Sequence, residues 1–153
     1  MIAGIHHVAI STPDAERALG FYRDLLGFEP LFDQSWPPGT AVADRITALH
    51  GSSARQVMLR RGNAYLELFE YAAPEPRHGD PQRPVCDHGI THLCLDVTGL
   101  DAEYERLREA GVAFHCPPQD LGAGVRTTYA RDPDGNVVEL QELSPAEHRF
   151  ALP

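Results

Sequence analysis

The chain has no lysine: all thirteen of its basic side chains are arginines. Schiff-base chemistry, which needs a lysine amine, is thereby excluded. Cysteine is also scarce, with Cys86, Cys94 and Cys116 forming an odd set without CxxC spacing. Neither a disulfide framework nor a zinc–thiolate site is expected from it. Positive charge is outweighed, and the formal net charge is -9. Nucleic-acid binding draws on clustered cations, so no nucleic-acid partner is expected. No apolar run approaches membrane-spanning length, and the first residues lack the basic-then-apolar pattern of a signal peptide. The expectation is a cytoplasmic protein without a membrane partner, acting on a small molecule.

What the chain does have is a repeat. Gly4-Ile5-His6-His7-Val8-Ala9-Ile10 is echoed by Gly89-Ile90-Thr91-His92-Leu93-Cys94-Leu95. Tyr65-Leu66-Glu67-Leu68-Phe69-Glu70 is echoed by Val137-Val138-Glu139-Leu140-Gln141-Glu142. From each strand His to a helix-stopping glycine, Gly27 or Gly111, is twenty residues in the first half and nineteen in the second. Internal duplication is the simple explanation.

Each half reads as βαβββ. In the first, alternation predicts a strand over Ile5 to Ser11, then a helix over Ala15 to Leu26 behind Thr12-Pro13-Asp14. A strand resumes at Phe28 to Phe32, and Gln56 to Leu59 with Ala64 to Tyr71 forms a hairpin. In the second, a strand over Thr91 to Val97 precedes a helix over Asp101 to Ala110. A short strand over Val112 to His115 follows, and Thr127 to Arg131 turns through Asp132-Pro133-Asp134-Gly135 into Asn136 to Glu142. The expected architecture is α+β: one domain over residues 1–153, built of modules at about 1–71 and 89–143 joined by an exposed linker, 72–88. The segment Asp33 to Arg55 is an insert holding a short amphipathic helix at Thr40 to Leu49, with lid and surface decoration as its two readings.

Strand parity assigns faces. In all four repeated strands an aliphatic set points one way, while His7, Glu67, His92 and Glu139 point the other. Any one of these alone is commonly a structural residue. Four that agree in type, parity and place within a repeat make a ligand set for one divalent metal ion, with Ni, Co, Mn, Fe or Zn all suited to imidazole and carboxylate donors. Tyr65, Phe69, Cys94 and Gln141 share that face and are the expected substrate-pocket residues. His6 has the opposite parity and reads as structural.

These motifs, with Phe21-Tyr22 through Leu25-Leu26-Gly27-Phe28 and Asp132-Pro133-Asp134-Gly135-Asn136, resemble the vicinal oxygen chelate superfamily. That superfamily includes glyoxalase I, methylmalonyl-CoA epimerase, extradiol dioxygenases, and fosfomycin and bleomycin resistance proteins. The resemblance covers roughly Ile5 to Glu142. It implies tandem βαβββ modules in a curved, U-shaped mixed sheet around a metal pocket, and a homodimer. The glyoxalase I pattern of His, Glu, His, Glu falls on His7, Glu67, His92 and Glu139. The implied reaction is glyoxalase I-like, a lyase or isomerase step that transfers a proton next to a carbonyl through a metal-bound enediolate. Glu139 is the first choice of base and Glu67 the second. The alternatives are an extradiol-type dioxygenase, which would not need Glu67, and a metal-free binding protein of the bleomycin-resistance type.

Overall fold

A computed structural model gives the fold, described over residues 1–144 and 148–152. The chain divides into two compact units, Met1–Gly79 and Asp80–Pro153, each with its own mixed sheet. The fold is α+β.

In the first unit, strand β1 (Val8–Ser11) runs parallel to β4 (Ala64–Ala73). Antiparallel neighbours β3 (Ser53–Arg61) and β2 (Glu29–Trp36) complete the order β1-β4-β3-β2. Helix α1 (Ala15–Leu19) makes the crossover. Asp14 caps it, its side chain accepting from the Arg17 amide at 3.0 Å, and the Glu70 carboxylate accepts from the Ala15 amide at 3.3 Å. The sequence predicts one helix to Leu26, but Gly20–Leu25 widens to π geometry, with the Leu26 amide donating to the Phe21 carbonyl. Gly20 weakens the helix interior, and widening turns two consecutive aromatics, Phe21 and Tyr22, into the core together. Gly27, at φ 72°, ends the helical stretch in the left-handed conformation that glycine adopts freely.

The second unit repeats this plan. Strand β5 (Leu93–Asp96) is parallel to β9 (Val137–Leu143). Beyond β9 lie β8 (Val125–Arg131) and β6 (Ala113–Phe114), with β7 (Gln119–Gly122) also on β8. Helix α3 (Leu100–Glu109) crosses over between β5 and β6. Its N-cap residue, Gly99, has no side chain, and Glu142 supplies the cap from the sheet, accepting from the Gly99 amide at 2.6 Å. Glu70 and Glu142 hold the same place in the repeat. In both units the aliphatic face is the core, centred on Val57, Leu59, Leu66 and Leu68 in one and on Leu107, Val138 and Leu140 in the other.

Several boundaries differ from the sequence reading. The first strand of each unit starts only at Val8 and Leu93, so His7 and His92 stand at the strand entrances. The insert is shorter than Asp33 to Arg55, because Asp33 and Arg55 are themselves strand residues joined by bonds of 2.9 and 2.6 Å between β2 and β3. Strand β7 has no strong alternation and was not expected.

Within the remaining insert lies α2 (Ala41–Thr47), none of whose residues is buried. Its Asp44 carboxylate accepts from the Gly51 and Ser52 amides at 2.8 and 2.7 Å, tying the helix to the start of β3. The Ser52 hydroxyl, then the Ser52 and Gly51 amides, hold this carboxyl below its ordinary range. A depressed folded value means that the tie contributes fully above the unfolded value of about 4 and is lost as pH falls through the lowered one. The expected outcome is that residues 37–52 loosen under acid before the sheets unfold. Proteolysis confined to this segment would report it, and Asp44→Asn should make that cleavage independent of pH.

Candidate metal centre

Parallel pairing fixes the geometry of each half of the site. In β1–β4 the register sets Ala9 beside Glu67, and in β5–β9 it sets Cys94 beside Glu139. The residue two positions earlier in each first strand is a histidine, which therefore meets the glutamate diagonally. His7 Nε2 lies 3.3 Å from Glu67 Oε2, and His92 Nε2 lies 3.0 Å from Glu139 Oε2.

The atoms pointing away from each pair are also held. Gln56 donates its side-chain amide to Glu67 Oε1, and the Thr127 hydroxyl donates to Glu139 Oε1 at 2.6 Å. Gln56 pairs with Phe69 and Thr127 with Gln141, so both donors sit two residues beyond their glutamate on the neighbouring strand. On the imidazole side, His7 Nδ1 is 3.0 Å from His6 Nδ1, and His92 Nδ1 is 2.9 Å from Thr91 Oγ1. Each half is thus a His–Glu pair gripped at its outer atoms, with Nε2 and Oε2 turned toward one spot.

Both glutamates are buried while their histidines reach solvent; side-chain exposure is 8% against 37% in the first pair and 11% against 28% in the second. A buried carboxylate with one oxygen satisfied calls for a cation or a proton donor at the other. Imidazole nitrogen plus carboxylate oxygen is a donor set that fits a divalent ion, with Gln56, Thr127, His6 and Thr91 orienting the ligands from outside. The structure brings together the two expected ligands of each module. Among the described residues, no group of three or more His, Cys, Asp and Glu side chains gathers as a metal cluster.

Tyr65 stacks on His6, with ring centroids 4.9 Å apart. Phe69 stacks on Tyr71 at 5.7 Å, and Gln141 is half-buried beside Thr127. Cys94, expected on the pocket face, has an exposed side chain. The atoms packed against its sulfur, followed by the Glu139 carboxylate, push the thiol up to about 12, which rules it out as a ready nucleophile. Gln56 and Thr127 escaped the sequence reading. Aligning the halves on their last two strands would have found them, since Arg55-Gln56 and Arg126-Thr127 occupy matching positions. The two arginines confirm the match: Arg55 pairs with Asp33 and Glu16, and Arg126 with Asp101 and Glu142.

Known proteins share this plan. A 2-epi-5-epi-valiolone epimerase from an Actinomyces species is 34% identical, over 91% of this chain and 79% of its own length. An ethylmalonyl-CoA/methylmalonyl-CoA epimerase from Cereibacter sphaeroides is 29% identical over 94% of this chain and all of its own. A lactoylglutathione lyase from Pseudomonas putida is 26% identical over 92% of this chain and 85% of its own. Among solved structures, a glyoxalase family protein from Bacillus cereus superposes with a TM-score of 0.85 at 19% identity, covering 94% of this chain and 95% of that one. No helix among the described residues is long and apolar enough to cross a membrane. The family model that matches spans residues 4–140, and the chain belongs to the Glyoxalase/Bleomycin resistance protein/Dioxygenase superfamily.

Proposed function

We propose that this chain is a metal-dependent isomerase or lyase that moves a proton on a carbon next to a carbonyl group of a small molecule. The observation that carries the reading is the repeated His–Glu pair, each glutamate tied at its outer oxygen by a neighbouring strand. The epimerases and the lyase among the relatives support the same class of reaction. His7, Glu67, His92 and Glu139 would hold one divalent ion, Ni, Co, Mn, Fe or Zn. Such an ion supplies Lewis-acid stabilisation of the negative charge that develops on substrate oxygens as the proton leaves.

The protein's own part is to hold, remove and return that proton. Glu139 is the proposed base. Its Oε1 is occupied by Thr127, so Oε2, displaced from or only loosely held by the ion, is the atom that would take the proton. The Thr127 hydroxyl has a second acceptor, the Leu140 carbonyl at 3.0 Å, toward which it can swing when the glutamate becomes protonated. Gln56 grips Glu67 through an amide, which suits a carboxylate that stays a ligand. Returned to a neighbouring atom, the proton gives a rearranged isomer; an epimer forms when a second acid protonates the same carbon from the other face.

Substitution separates the two glutamates. Glu139→Gln should retain metal with weaker affinity yet lose on the order of 10²-fold or more in turnover, the usual contribution of a positioned base. Glu67→Gln should lose mainly metal affinity, and added metal should restore much of its rate. Equal residual rates at saturating metal would remove Glu139 from the role of base.

We further propose a homodimer, because β1 and β5 each end the strand order of their sheet, and sheet edges offer backbone groups for pairing. Mixing tests both the assembly and the origin of the four ligands. A dimer of one His7→Ala chain and one Glu139→Gln chain regains one intact site out of two if each site takes half its ligands from either chain. It regains none if a single chain supplies all four. A monomer in light scattering at micromolar concentration would refute the dimer.

A further inference from the structure

Beside the His7–Glu67 pair lies a feature that the duplication does not explain. Trp36, at the end of β2, packs its ring perpendicular to both Phe69 and Tyr71, at 5.9 and 6.0 Å, while those two stack on each other. The three rings form an L-shaped corner. Phe69 follows Glu67 by two residues on the same face of β4, which places it about 7 Å along the strand. All three rings are half-buried, so each keeps a free side.

The corner is built rather than incidental. The Trp36 indole N–H donates to Ser52 Oγ at 3.2 Å, and the amide of the fully buried Ser52 donates in turn to the Asp44 carboxylate at 2.7 Å. The insert thereby fixes the orientation of the indole. In the second unit the residues matching Phe69 and Tyr71 are Gln141 and Leu143, so aromatic rings at these positions are not a requirement of the fold.

The neighbours define what the corner takes. Gln34 donates to Gln56 at 3.1 Å, and Gln56 reaches Glu67, giving a row of neutral amides alongside the rings. Among the described residues of β2, β3 and β4, the cation on this face is Arg60, which stands at the hairpin end of β3 across from Tyr65, beyond Glu67 and away from the corner. An acyl-CoA or glutathione adduct brings phosphates or carboxylates that want cations close by. A polyhydroxylated ring instead lays its C–H face on an aromatic surface and gives its hydroxyls to amides.

We propose that the Trp36–Phe69–Tyr71 corner is the substrate-recognition wall of this site, and that its substrate is a neutral, polyhydroxylated ring ketone. The substrate class rests on the proton-transfer reading above; the wall itself rests on the corner alone.

Trp36 is the only tryptophan, so its emission reports on the corner directly. The full chain would be titrated with 2-keto-myo-inositol, a neutral polyhydroxylated ring ketone, and separately with methylmalonyl-CoA. The expected result is a saturable emission change with the ring ketone, kept in Glu139→Gln, and none with the thioester. Trp36→Phe should weaken ring-ketone affinity by calorimetry up to about tenfold, the worth of one aromatic contact. Ser52→Ala, which keeps the indole but frees it, should weaken it less. No emission change with the ring ketone, or unchanged affinity in both variants, overturns the wall. A response to the thioester instead overturns the substrate class. If the ring ketone binds at the corner but its α-hydrogen does not exchange in heavy water, the proton-transfer reading fails while the wall stands.

Discussion

Parallel pairing of the first strand of each unit with its last is the constraint on which the rest depends. It brings together segments that are far apart in sequence, and parallel neighbours need a long crossover, which here starts through α1 and α3. That pairing decides which residue faces Glu67 and Glu139. Because each histidine stands at its strand entrance, two residues before the paired position, it meets the glutamate without occupying a core position. The antiparallel hairpins then deliver Gln56 and Thr127 to the opposite oxygen.

The strand glutamates three residues further on, Glu70 and Glu142, couple sheet to helix. They lie on the aliphatic side of β4 and β9 and end at the amides of Ala15 and Gly99. In the second unit the glutamate substitutes entirely for a capping side chain, since Gly99 has none to offer. One short strand segment therefore anchors a helix on one face and presents a carboxylate on the other.

Much of this was legible in the sequence because duplication supplies its own control. A histidine or a glutamate alone says little, but His7 with His92 and Glu67 with Glu139 agree in parity and spacing. The helix stops at Gly27 and Gly111 were equally visible, as both are glycines with left-handed backbones. Legibility failed where tertiary packing overrides local pattern. The π-helical stretch at Gly20–Leu25 depends on burying Phe21 and Tyr22 together, which periodicity alone does not reveal. The sequence ends β2 at Phe32 and opens the insert at Asp33, whereas the strand runs on to Trp36 with Asp33 neutralised by Arg55 across the sheet. Gln56 and Thr127 are unlike in chemistry, so comparison of the halves by residue type passed over them.

The glutamates that face the site also guard the sheet against misassembly. Side chains alternate along a strand, so sliding β4 or β9 by one residue would exchange its two faces. Glu67 would then enter the layer of Val57 and Leu59, and Glu139 the layer of Ala130 and Leu107, as buried charges without a partner. A misaligned strand would carry that penalty at once, whereas an all-aliphatic strand could slip almost unnoticed. The residues set out for chemistry thus act as proofreaders during folding, and a variant that removes their charge loses an error check as well as a donor.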